Sequence, residues 1–246
     1  MNRRAWVRQI MGMPISIHLR GGNVDSPTAA RGVEEAFDLL RQADRLFSTY
    51  LRDSEVSQIR RGELEPGRAD SLVQQVITLC QQAGELTDGA FTDQLPDNDG
   101  VLRFDPTGLV KGWAADRAAS RLADLSETSY CLNAGGDVVV GGTAMEADVG
   151  PGAPWRVGIE DPHDRSRIAE VVEVRQGGVA TSGTAARGAH LYDRATGTFV
   201  QRAGSVTVVG PSLMWADVWA TALFVGPASL SVLFSQVTDG YRVISL

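Results

Sequence analysis

A chain of 246 residues that is 43% hydrophobic can bury a sizeable core, and one domain over 1–246 is expected. Its 23 Lys+Arg stand against 30 Asp+Glu, a formal charge of −7, so bulk electrostatics argues against a nucleic acid or an anionic membrane as partner. Acidity selects no particular ligand, and function has to be read from motifs.

The start, Met1-Asn2-Arg3-Arg4, is basic like a signal peptide, but Arg8, Gln9 and Pro14 interrupt any apolar stretch behind it. A cytoplasmic protein without a processed leader is the expectation, with no apolar run long enough for membrane insertion. Ile15, Ile17 and Leu19 then alternate with Ser16, His18 and Arg20, the period of a half-buried strand, which puts His18 on its solvated face. Ser26-Pro27 opens a helix in which Val33, Phe37, Leu40 and Phe47 recur at helical spacing as far as Tyr50. Asp53 or Ser54 caps a second, short helix. A third follows Asp70, carries Leu72, Val73, Val76, Ile77, Cys80 and Leu86 on one face, and stops at Asp88-Gly89. Thr92 to Asp105 is rich in turn residues and reads as a loop, and Lys111 to Leu122 reads as another helix.

The second half changes character. Short β-branched segments sit between glycines at 130–133, 137–140, 155–159, 168–174, 178–181 and 205–209. A helix over Met214 to Phe224, another from Ala228 and a strand near Val243 complete the chain. Helices early and strands late predict an α+β fold with N-terminal helices and a mainly antiparallel sheet. Cys80 and Cys131 lie in apolar stretches and are too few for a disulfide framework or a thiolate zinc site, so both are expected as buried thiols.

Four constellations could carry chemistry. Asp217 and Thr221, four apart on a helix, stack a carboxylate and a hydroxyl on one face. That pair suits Mg²⁺, a hard cation that takes oxygen ligands, although an aspartate near a helix start is also favoured by the helix dipole. Asn133-Ala134-Gly135-Gly136-Asp137 is either a plain hairpin turn or a place where backbone amides approach a phosphate. The run from Asp105 through Gly108 and Lys111 to Gly112 enters a helix, and is either an anion site or a capped helix start. His190 lies in a strand-like run that ends in the turn Asp193 to Gly197, and is a structural histidine or a general base. Gly-x-Ser-x-Gly, HExxH and a strand-borne GxGxxG do not occur, which leaves ordinary hydrolase, zincin and Rossmann readings without support.

The order of these elements resembles the ApbE-like family of FAD:protein FMN transferases over nearly the whole length. The resemblance runs from Met11-Gly12-Met13 through Phe47-Ser48-Thr49-Tyr50, Asp88-Gly89-Ala90-Phe91, Asp105 to Gly112 and Trp113-Ala114-Ala115-Asp116. It continues with the Asn133 to Asp137 turn, Trp155 to Pro162, Ala180-Thr181-Ser182-Gly183, the His190 run and Ala216-Asp217 to Thr221. It implies an ApbE-like, T-fold-like α+β architecture and a transferase that moves FMN from FAD to a Thr or Ser hydroxyl of a protein acceptor, releasing AMP. It further implies Mg²⁺ held by Asp217, Thr221 and the Gly108 carbonyl, and FAD contacts from Asp105 and Lys111. Met11, Tyr50, Ala90, Phe91 and Thr92 would line the flavin, and His190 would be the base. Two alternatives stay open: a pyrophosphatase that gives free FMN and AMP, and a flavin-binding module without activity. The sequence departs from the family pattern in a shorter loop after Phe91, in Thr92 where the family has Asp (Asp93 follows), in Arg194 and Ala195 after Asp193, and in a clipped stretch between Ser182 and His190.

Overall fold

The structure is a computed structural model that describes residues 2–143, 153–185 and 188–246. Met1, together with Ala186 and Arg187 in the clipped stretch before His190, lies outside the described residues. In chain order the first half holds β1 (Asn2–Ile10), β2 (Met13–Gly21), α1 (Pro27–Phe47), α2 (Glu55–Arg60), α3 (Ser71–Leu86), β3 (Gln94–Pro96), β4 (Leu102–Phe104) and α4 (Thr107–Ala123). The second half holds β5 (Thr128–Ala134), β6 (Asp137–Gly142), β7 (Trp155–Glu160), β8 (Ile168–Val174), β9 (Gly177–Gly183), β10 (Tyr192–Asp193), β11 (Thr198–Phe199) and β12 (Ser205–Gly210). The helices α5 (Leu213–Val225) and α6 (Leu230–Val237) and the strand β13 (Arg242–Ser245) complete it.

Seven strands pair in the order β1-β2-β5-β6-β9-β12-β13, every neighbour antiparallel. Side-chain alternation explains how this sheet is covered. Ile15, Ile17 and Leu19 of β2, Leu132 of β5, Val139 of β6 and Val206 and Val208 of β12 join the main core with the helices. Their neighbours Val138, Val140, Val179 and Val209 point the other way and pack with Ile159, Val172 and Val174 of the β7–β8 hairpin. The centre of the sheet is therefore buried on both faces. Helix α5 shows the consequence in its sequence: it is apolar nearly all round, and Asp217 is buried within it.

Helices α1, α4 and α5 form the layer over the first face. Buried Ala114, Ala115, Ala118 and Ala119 let α4 pack closely. At Gly112 the approach is tightest, since a Cβ there would lie 2.8 Å from Met214 Cα. The α+β arrangement, the early helices and the antiparallel sheet are as expected.

The structure differs from the sequence reading in several local features. β1 was not anticipated; it is an edge strand with most side chains exposed, so no apolar alternation marks it. Its turn to β2 uses Met11-Gly12 with φ of 56° and 72°, a two-residue turn that usually recruits Asn or Gly at the first position. The Thr92 to Asp105 loop contains the short β3–β4 hairpin, organised by Asp97, which accepts from the amides of Asp99 (3.0 Å) and Val101 (2.9 Å). Helix α4 begins at Thr107, four residues before the expected start, because Asp105 accepts from the Thr107 amide at 3.1 Å. Cys80 is buried, whereas Cys131 is only partly so. His18 lies on the exposed face as expected, bonded to Ser16 Oγ at 3.1 Å.

Candidate active site

All the residues singled out from the sequence line one cleft of about 1200 Å³ at the end of the sheet: Met11, Tyr50, Ala90, Phe91, Thr92, Asp105, Gly108, Lys111, His190, Asp217 and Thr221. The cleft has a buried corner and an exposed mouth.

The corner is built by α4, α5 and the β5–β6 turn. Asp217 and Thr221, one turn apart on α5, face the cleft together, and Thr221 Oγ1 shares a hydrogen bond with Ser182 Oγ of β9 at 2.9 Å. Lys111, one turn into α4, places its Nζ between Asp137, which it contacts directly, and Asp217 at 3.5 Å. Both carboxylates are nearly inaccessible, with 3% and 4% of their side chains exposed. Asp137 is fixed further by the Thr181 amide, which donates to Oδ1 at 3.0 Å. The formal charges of these three groups sum to −1. Burying charge costs several kcal/mol per ion unless opposite charge is close, so this balance favours a further cation. The oxygen donors at hand, carboxylate, hydroxyl and the carbonyl of Gly108 on the exposed first turn of α4, are hard ligands that fit Mg²⁺. Among the described residues no group of three or more His, Cys, Asp or Glu side chains could hold a metal, so any such ion depends on this mixed set.

Asp105 has a local task. Oδ1 accepts from the amide and hydroxyl of Thr107, and Oδ2 accepts from Arg60 at 3.1 Å, with Arg60 also donating to the Phe104 carbonyl at 3.0 Å. It thereby sets the first turn of α4, in which the Leu109 and Val110 amides donate to the Pro106 carbonyl and Thr107, Gly108 and Lys111 line the cleft. Phe91 is 2% exposed and is chiefly a core side chain, with Ala90 and Thr92 on the wall beside it.

The mouth is made of turns. Ser48 Oγ accepts from the amides of Tyr50 and Leu51, and its carbonyl accepts from the Ser54 and Ser57 hydroxyls. This pinned turn holds the Tyr50 ring 96% exposed. Met11, at its positive φ, donates its amide to Asp44 at 3.2 Å. His190 Nδ1 lies 2.9 Å from the Gly188 carbonyl. A carbonyl can only accept, so Nδ1 carries the proton in the neutral ring and Nε2 keeps a lone pair. Asp193 then shapes the following turn, accepting from the Ala195 amide and the Thr196 hydroxyl, while β10 pairs with β11. Cys131 also lines the cleft, but burial pushes its thiol up to about 12, so it is no thiolate nucleophile at neutral pH.

Three supporting residues were not given roles by the sequence reading. Asp137 was seen only as part of a glycine turn. Thr87 bonds the Ala83 carbonyl and accepts from the Phe91 amide at 3.0 Å, fixing the Asp88 to Phe91 bend. Asp116 of α4 accepts from Ser212 Oγ and from the amides of Leu213 and Met214, and so caps α5 and sets its position. No spacing rule signals such contacts, since Asp116 and Ser212 lie 96 residues apart.

The comparisons with known proteins agree with this architecture. The profile of the ApbE family matches residues 11–97 and 92–244. The chain belongs to the ApbE family. It is 25% identical over 263 residues to the FAD:protein FMN transferase of Escherichia coli (strain K12), covering 83% of this chain and 74% of that protein. With the FAD:protein FMN transferase of Klebsiella pneumoniae (strain 342) it shares 34% identity over 137 residues, covering 51% and 38% of the two chains. Among solved structures, the ApbE protein of Thermotoga maritima superposes with a TM-score of 0.78 at 20% identity, covering 99% of this chain and 94% of the other. The apo flavinyl transferase ApbE of Pseudomonas stutzeri gives 0.76 at 24% identity, with the same coverage. Among the described residues no helix is long and apolar enough to cross a membrane.

Proposed function

We propose that this ApbE family member is an Mg²⁺-dependent flavin transferase that moves the FMN moiety of FAD onto a Thr or Ser hydroxyl of a protein acceptor and releases AMP. The observation that carries this reading is the joining of two unlike parts in one cleft: the charged corner of Lys111, Thr221 and the buried Asp217, and the mouth with the exposed Tyr50 and the half-buried His190. In the reaction the acceptor oxygen bonds to the phosphorus next to riboflavin. The anhydride P–O bond breaks, and AMP leaves with the bridging oxygen. Phosphoryl transfer of this kind depends mainly on positioning and charge stabilisation.

Bound at Asp217, Thr221 and the Gly108 carbonyl, Mg²⁺ would supply electrostatic stabilisation of the pyrophosphate charge. Lys111 adds its positive charge to that of the cation, and Asp105 sets the first turn of α4, which carries both Gly108 and Lys111. Met11, Tyr50 and the 90–92 segment form the wall for the isoalloxazine ring. His190 Nε2 takes the acceptor's proton, its other nitrogen being held by Gly188.

The test is incubation of the protein with FAD and Mg²⁺, with and without a flavoprotein acceptor, followed by chromatography for AMP and FMN and intact mass of the acceptor. An acceptor gaining the mass of FMN with release of AMP, silenced by EDTA and restored by Mg²⁺, is the expected result. Free FMN and AMP alone would make the protein a pyrophosphatase, and unchanged bound FAD would make it a binding module.

A further inference from the structure

We propose that Asp137 is a positioning residue for Lys111, holding its ammonium toward the pyrophosphate of FAD independently of Asp217. The inference rests on the transferase reading above and adds to it a residue with no other assigned role.

Lysine is a point charge on a flexible four-carbon stem, so an ammonium that must meet a phosphate gains from a fixed anchor. Two carboxylates flank Lys111, and they are not equivalent. Asp217 lies farther away, at 3.5 Å, and shares its helix face with Thr221 as a cation site. An oxygen engaged by a divalent cation has less negative charge to offer a neighbouring ammonium. Asp137 makes the closer contact and sits on a separate element.

Its geometry is over-determined. It is the first residue of β6 and closes the hairpin opposite Ala134. Gly135 and Gly136 form the two-residue turn at φ of 64° and 104°, and the Gly136 amide donates to Asn133 Oδ1 at 2.9 Å. Strand alternation puts Asp137 on the same face as Val139, toward the helices. The Thr181 amide occupies Oδ1, which leaves Oδ2 aimed at Lys111. A buried ion pair contributes little net stability compared with apolar packing. A carboxylate held this firmly in a cleft wall is therefore better explained by what it does to the lysine.

The test is a cycle of Asp137→Asn, Lys111→Gln and the double variant, with folding checked by circular dichroism. FAD affinity in the presence of Mg²⁺ is read from flavin fluorescence, and cation affinity from Mn²⁺ by electron paramagnetic resonance. Asp137→Asn alone should weaken FAD binding about tenfold, the scale of one charge-assisted contact, with a smaller fall in Mn²⁺ affinity, because the corner loses one negative charge but keeps Asp217 and Thr221. In the Lys111→Gln background the same substitution should change FAD affinity less than about twofold, because the residue it positions is gone. Asp137→Glu, which keeps the charge, should recover part of the loss. It also replaces Asp137→Asn if that variant does not fold; the glutamate must then bind FAD more weakly than wild type. Unchanged FAD affinity in the single variant, or an equal effect in both backgrounds, would overturn the proposal. The transferase reading is decided separately by FMN transfer in the wild-type protein.

Discussion

The two ends of the cleft are built on opposite principles. In the corner, Lys111, Asp137 and Asp217 project from a helix, a strand end and a second helix, the two carboxylates almost wholly buried and the lysine partly so. At the mouth, Tyr50, Met11 and His190 sit on turns held by hydrogen bonds at Ser48, from the Met11 amide to Asp44 and to the Gly188 carbonyl, and Tyr50 is open to water. Charge stabilisation of a pyrophosphate gains most where water is excluded and groups cannot relax. A protein acceptor, in contrast, needs an accessible edge. The difference implies that damage to the corner should stop chemistry, whereas damage to the mouth should tune binding.

The largest expected effect falls in the corner. Asp217→Ala should lower Mg²⁺-dependent turnover by about 10⁴-fold or below detection, through lost cation binding. It removes one of two buried carboxylates beside a single lysine, so thermal stability should hold or rise, as measured by calorimetry. Undiminished activity in that variant would place the cation elsewhere. His190→Ala comes next, with a loss of about 10² to 10³ in transfer rate and little change in FAD affinity, read by stopped assay and fluorescence titration. Loss of FAD binding there would make the imidazole a structural or ligand-holding group and collapse the distinction between the two ends.

Much of this could be read from the chain, for physical reasons that also explain what could not. Periodicity located β2, α1, α3 and α5, because each buries one face or is buried whole, and burial leaves a repeating apolar signature. It could not locate β1, whose exposed edge carries arginines and whose turn begins with methionine in place of asparagine or glycine. The candidate site residues were found through motif order rather than through any one spacing, and the structure gathers them around one cleft. Asp116 and Asp137, which brace them, were invisible because they act through contacts set only when distant segments pack, whereas Thr87 acts locally, four residues from Ala83 and from Phe91, in a bend that no periodicity marks.

Asp116 tests that bracing. Asp116→Ala should cost about 2–3 kcal/mol in a urea titration, since Ser212 and two amides at the start of α5 lose their acceptor. Burial holds the Asp116 carboxyl above the ordinary aspartate value, against the pull of those hydrogen bonds. A carboxyl raised on folding supports stability fully below its unfolded value, and that contribution is lost as pH rises through the folded value. The stability of the wild type relative to Asp116→Asn should therefore fall as pH is raised upward from the ordinary aspartate range. A flat difference would show that the hydrogen bonds cancel the burial.

The smallest effect belongs to the mouth. Met11 sits at φ 56°, a region that L residues enter at a cost of about 1 kcal/mol and glycine enters freely. Met11→Gly relieves that strain but gives up packing against the core and adds freedom to the unfolded chain. These contributions oppose, so stability should change by less than about 1 kcal/mol in either direction. FAD affinity should still fall by about two- to fivefold, because the thioether is part of the wall where the flavin would lie. A variant that loses 2 kcal/mol or more yet binds FAD as wild type would make Met11 a packing residue and take it out of the mouth.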